Sequence, residues 1–141
     1  MASAVKFQAF VEHVAEKVHN LGADTLKILL SNDAPSASAD AVKADLTSEL
    51  GTANGYTSGG SAVTITASAQ SAGTYALQGS DLVFTASGGT IGPFRYAVLY
   101  NDTPASPADP LIQYWDYGSS ITLQDGETFT VDFGTNILTL A

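Results

Sequence analysis

The chain holds 141 residues, 45% of them hydrophobic and only 13% charged, with a formal net charge of −9. A chain of this length buries roughly two thirds of its unfolded surface, so one packed domain is expected and wholesale disorder is not. Having 5 basic residues against 14 acidic ones and no cysteine excludes a nucleic-acid backbone or anionic membrane as partner, and with them disulfides, zinc thiolates and a cysteine nucleophile.

The first residues, Met1-Ala2-Ser3-Ala4-Val5-Lys6, lack the charged-then-apolar layout of a signal peptide, so retention on the cytoplasmic side of the producing cell is expected. No window reaches the eighteen or so apolar residues of a membrane helix. Residues 4–21 read as one amphipathic helix within an N-terminal unit of residues 1–22. Phe7, Phe10, Val11, Val14, Val18 and Leu21 fall on one face, and Lys6, Glu12, His13, Glu16, Lys17 and Asn20 on the other. Ser3 is the expected N-cap and Gly22 the expected left-handed C-terminal cap.

Residues 23–60 predict a strand, a loop and a short helix. Thr25 to Leu30 alternates as a strand, Ser31 to Ala39 holds Pro35 in a loop, and Val42, Leu46 and Leu50 suggest a helix over 40–50. Gly51 to Gly60 reads as an irregular connection. From Ser61 to the end the pattern is β. Short alternating runs are separated by Ser71-Ala72-Gly73, Gly88-Gly89, a proline-rich loop over 101–110 and Asp125-Gly126, the last being a hairpin signal. The expected fold is therefore mainly β: an antiparallel β-sandwich or jelly-roll-like domain over 61–141, with an N-terminal amphipathic α-helix.

The strongest strand signal is Gly92-Pro93-Phe94-Arg95-Tyr96-Ala97-Val98-Leu99-Tyr100, which contains the only arginine. Its two faces, Phe94/Tyr96/Val98/Tyr100 and Arg95/Ala97/Leu99, are both largely apolar, so it reads as a central strand covered on both sides. If the 101–110 loop closes a symmetric hairpin, Arg95 lies opposite Asp116, Tyr96 opposite Trp115, and Tyr100 opposite Leu111. Arg95 and Asp116 are then a candidate structural ion pair, expected to be buried and to specify register.

Candidate chemistry is sparse. His13 and His19 lie six apart on one helix without a metal-ligand pattern. Asp125-Gly126-Glu127 is accounted for by turn chemistry, and Asp116, Asp125, Glu127 and Asp132 form no calcium loop. No Gly-x-Ser-x-Gly elbow and no phosphate loop occurs. The cluster Tyr114-Trp115-Asp116-Tyr117 could stack on a sugar, but alternation sends Tyr114 one way and Trp115 with Tyr117 the other, so at least one set belongs to the core. No catalytic residue, metal or cofactor is assigned, and an enzyme is not expected.

The layout as a whole resembles small structural proteins of tailed bacteriophages. The resemblance rests on the Phe7-x-x-Phe10-Val11 helix ending near His19-Asn20-Leu21, on Asp24 to Leu30 with Ala34-Pro35, on Gly55-Tyr56-Thr57 with Gly59-Gly60, on Gly92 to Asp102, and on Trp115 to Ser120 with Asp125-Gly126. It implies a virion component without catalytic residues: a capsid decoration (cement) protein, or a head–tail or tail-associated subunit. Its partners would be the major capsid protein or other virion proteins, and it would form a homo-oligomer, with a trimer favoured. A decoration protein stabilises a shell by many modest contacts repeated over it. Phe7, Phe10, Val14, Tyr114 and Trp115 are the candidate interface residues. The N-terminal helix either docks on a neighbour or caps its own sandwich.

Overall fold

The computed structural model describes residues 2–141. A five-stranded antiparallel sheet forms its spine, in the spatial order β1 (Ala4–Lys6), β8 (Leu111–Leu123), β7 (Ile91–Asn101), β2 (Leu26–Ser31) and β3 (Ser61–Ala62). Beside it lie a three-stranded sheet of β10 (Leu138–Leu140), β5 (Thr74–Gly79) and β4 (Ile65–Ser71), and a pair of β6 (Leu82–Thr85) with β9 (Thr128–Val131). The chain is thus mainly β, with antiparallel sheets in a sandwich-like arrangement and one short helix, α1 (Gln8–Ala15).

Strand β7 is central, as its two apolar faces require. On one side Ala97 and Leu99 join Ile28, Leu30 and Trp115 in the main core, which Leu77, Phe84 and Val131 close from the smaller sheets. On the other side Val98 and Tyr100 pack with Leu29, Leu111 and Phe7 in a smaller cluster that Leu46 and Tyr114 border. From Tyr96 to Asn101 the two layers leave no face for water, which is why that stretch is almost wholly apolar.

The β7–β8 register departs from the symmetric hairpin. Tyr100 does face Leu111, but Asp116 lies opposite Tyr96 and Trp115 opposite Ala97, a one-residue slip from the expected pairs. An irregularity between Leu99 and Tyr100 causes it, leaving Ile112 on the main-core side together with Gln113. A second bulge spans Asp116 to Ile121, opposite Phe94 to Tyr96, where Gly118 takes a φ of 86°. Four residues of β8, 117–120, stand there against the single Arg95. The regular alternation breaks across this irregularity, and Phe94 turns into the main core with Ala97 and Leu99 instead of sharing a face with Tyr96, Val98 and Tyr100.

The predicted helix over 4–21 is shorter. Residues Ala4–Lys6 instead pair with the edge of β8, and only Gln8–Ala15 is helical. The helix ends where Lys17 adopts a φ of 65°, with Val18 N–H bonded to the His13 carbonyl at 2.9 Å and Lys17 N–H to that of Val14. This is a Schellman closure built on a lysine rather than on Gly22. Phe7, in extended conformation, takes the cap position expected of Ser3.

The short helix expected over 40–50 is a single 3₁₀ turn, Lys43–Asp45, where the Asp45 carboxylate accepts the N–H groups of Ala41 and Val42. Asp125-Gly126 does turn the chain, with Glu127 N–H donating to the Gln124 carbonyl. The strands it joins do not pair, however: β9 pairs with β6, so the turn carries the chain between sheets. The Ala72-Gly73 turn does close a hairpin, and both residues have positive φ, 52° and 84°, as a type I′ turn demands.

Candidate interaction surfaces

Phe7 and Phe10 were expected on one helical face, which either docks on a neighbour or caps its own sandwich; both are fully buried within this chain. The N-terminal segment straddles the sheet edge, with Phe7 N–H bonded to the Ile112 carbonyl at 3.1 Å and Gln8 N–H to that of Ala37 at 2.8 Å. Phe7 enters the smaller cluster, 5.3 Å from the Tyr114 ring, while Phe10 enters the main core beside His19 at 5.1 Å. They diverge because Phe7 precedes the helix, so the helical spacing read between them does not apply. Of the predicted interface, Val14 stays exposed, next to Val11, at 54% the most exposed large hydrophobic among the described residues.

Trp115 is also core. It is 4% exposed and packs 5.7 Å from Phe133. Tyr114, half-buried, sits between Phe7 and Tyr96. Neither presents an open platform for a sugar ring.

Arg95 and Asp116 do pair, through a two-pronged contact of 2.7 Å from Nε to Oδ1 and 3.0 Å from Nη2 to Oδ2. Their side chains are 37% and 40% exposed, so the pair lies on the surface and not in the interior. The Arg95 guanidinium, assisted by the Gly118 N–H, holds the Asp116 carboxyl below the usual range.

The two histidines, six apart in sequence, come together because α1 ends early and the chain doubles back. Their rings are 6.1 Å apart, and His13 Nδ1 and His19 Nε2 are buried without a hydrogen-bond partner within the chain. Asn101 Nδ2 lies 3.0 Å from His19 Nδ1 and donates to Asp24 at 2.7 Å. Burial, reinforced by His13, lowers the His19 pKa to about 4. Among the described residues, no three His, Cys, Asp or Glu gather as a metal cluster.

A second polar network escaped the sequence reading. The Tyr56 hydroxyl accepts the Leu30 N–H at 3.1 Å and donates to Glu49 at 2.7 Å. Glu49 also accepts the Gly59 N–H and lies 3.3 Å from Lys43 Nζ, and Tyr100 donates to the Gly59 carbonyl. The network clips the irregular 49–60 segment onto the edge of β2 beyond the short β3. Gly60 approaches so closely, at a φ of 80°, that an added Cβ would stand 1.8 Å from the Ile28 carbonyl oxygen.

The surface feature with the clearest consequence is an absence of charge. Residues 51–80 contain no Asp, Glu, Lys or Arg, in a chain whose net charge is −9. Most of that run's regular structure is the β4–β5 hairpin. Thr66 to Ser71 of β4 are all exposed, and β4 is the outermost strand of its sheet. The signal was present in the sequence as a gap in the charge pattern. At the opposite edge of this sheet a shallow groove of about 410 Å³ separates β10 from β1, lined by Lys6, Phe10, Gln113 and Leu138 among others.

Compared with protein-family models, curated proteins and solved structures, the chain matches none.

Proposed function

We propose that the chain is a non-enzymatic structural subunit of a tailed-bacteriophage virion, placed on the shell as a capsid decoration protein. The resemblance of its sequence layout to such proteins supports the virion assignment. The observation that carries the assembly reading is the charge-free, open-edged β4–β5 hairpin on an otherwise acidic domain. Acidic surface opposes contact between copies over most of the domain, and the uncharged hairpin is where another subunit can approach without that repulsion. Contacts to the major capsid protein would be modest individually and effective through their number. With Trp115 in the core and Tyr114 flanked by aromatic neighbours, a glycan-binding module gains no support.

The test is immunogold labelling of purified particles with antibody against this chain. Label spread over the shell supports decoration. Label confined to neck or tail replaces decoration with the head–tail or tail-associated role, and particles without label overturn the virion assignment.

A further inference from the structure

The open edge of β4 fits one occupant best, a second copy of itself. In a two-residue I′ hairpin the flanking residues, here Ser71 and Thr74, form a hydrogen-bonded pair. Alternation then directs the N–H and C=O groups of Ala67, Ala69 and Ser71 at β5, and those of Thr66, Ser68 and Gln70 outward. Among the described residues no strand pairs with this outer edge, since β4 ends its sheet; Gly22 lies against the Ser68 side chain.

Exposed edges of this length are normally guarded by a lysine, a proline, an inward charge or a covering loop. From Thr66 to Ser71 the strand reads Thr-Ala-Ser-Ala-Gln-Ser, with none of these residue guards, and its irregularity is confined to the Ile65 end. The sequence is also compatible with itself when reversed. In an antiparallel pair with a two-fold axis at Ser68, Ser68 faces its own copy, Thr66 faces Gln70, and Ala67 faces Ala69. No charge meets a charge and no bulky group meets another. Charge permits this occupant here and opposes it elsewhere. Two chains of net charge −9 repel over most of their surfaces, and the run 51–80 is the longest stretch in which they do not.

We infer that two copies of the chain associate by antiparallel β4–β4 pairing about a two-fold axis at Ser68, joining their three-stranded sheets into one of six strands. The pairing is isologous, each copy giving and accepting the same bonds. One strand edge buries less than the roughly 1,200 Å² of a stable interface, so the dimer forms with rising concentration and is strengthened by salt, which screens the acidic surfaces. The inference rests on the assembly reading of the proposed function and gives it a dimer contact, in place of the trimer that the resemblance implies. Particle labelling reads location and solution mass reads pairing, so either can fail without the other.

Light scattering after size exclusion, from low micromolar to about 1 mM, should show the mass rising from 14.5 kDa towards twice that value, further in high salt. Hydrogen exchange at the amides of Thr66, Ser68 and Gln70 should slow at least about 10-fold with concentration as the edge is covered. Ser68→Pro removes the central outward N–H without touching the bonds to β5, as edge strands tolerate. Ala69→Glu places like charges beside the axis. Both variants should stay monomeric with an unchanged circular-dichroism spectrum. A wild-type monomer at the highest concentration overturns the inference, as does a folded Ser68→Pro variant that associates like wild type. An oligomer whose β4 amides exchange as fast as the monomer's overturns it equally.

Discussion

Replacing Tyr56 by Phe isolates the network that holds the 49–60 segment on β2. Tyr56 is 2% exposed, its ring lies 5.9 Å from Phe84, and its hydroxyl bridges the Leu30 N–H and the Glu49 carboxylate. Phe keeps the ring contacts and deletes only the oxygen. The bond to a carboxylate contributes about 1.5–3 kcal/mol, and a buried N–H left without an acceptor costs about 1–3 kcal/mol. The Tyr56 hydroxyl is the acceptor of the Leu30 N–H, since β3 pairs with β2 only at Lys27 and Ile28 and the 48–50 backbone bonds to the Leu30 carbonyl and the Asn32 N–H instead. Allowing for partial relaxation, the expected loss is about 2–4 kcal/mol. With an unfolding entropy near 2.1 cal/mol/K per residue, this lowers Tm by about 7–14 °C. Differential scanning calorimetry reads it directly, with Tyr75→Phe as control. That residue's hydroxyl meets only the exposed Ser68 hydroxyl, at 2.7 Å, and its loss should shift Tm by less than about 2 °C. A Tyr56→Phe variant that melts as high as the control would refute the claim that this network anchors the segment.

Three further outcomes follow from the geometry. Asp116→Ala breaks an exposed ion pair and should lower Tm by less than about 3 °C in calorimetry; a large loss would show that the pair governs register after all. Gly60→Ala sets a methyl against the Ile28 carbonyl at positive φ, and chemical denaturation should show a loss of at least about 2 kcal/mol, whereas near-wild-type stability would mean the 59–61 backbone moves freely. Stability should also fall as pH drops from about 6.5 to 4.5. The folded chain holds His19 neutral down to about 4, while the unfolded chain takes up its proton near 6.5, so acid favours unfolding across that window by about 2 kcal/mol. Urea titrations of wild type and His19→Gln should show the slope with pH reduced in the variant, and equal slopes would remove His19 as the cause.

What could be read from the sequence were the features set by local pattern. The strand around Val98, the strand ending at Leu30 and the Ala72-Gly73 turn each announce themselves through alternation or required φ, and all three are present. Arg95 and Asp116 were correctly paired because a hairpin constrains its partners, but the bulge beside Leu99 shifted the register and the pair's exposure differed from expectation. The failures share a non-local cause. Residues 4–6 leave the helix because the edge of β8 offers them a ladder, a partner more than a hundred positions away. That pairing divides Phe7 from Phe10, and a spacing of three, natural on a helix, became two residues on opposite sides of a sheet. Trp115 was one of two candidates for the core, and only the packing against Phe133 decides between them. The Tyr56–Glu49 network unites a loop with a strand edge, a contact that no periodicity encodes. The charge-free run 51–80 was fully visible, and its meaning depended on β4 being an outermost strand.

The central claim, that the chain is a shell-bound structural subunit, is tested most directly by its copy number. Quantitative mass spectrometry of density-banded particles, washed in high salt, gives the ratio of this chain to the major capsid protein. A fixed ratio near a simple fraction of the shell subunit, retained through washing, is the predicted result. Absence from the particles, or traces that the wash removes, would contradict it.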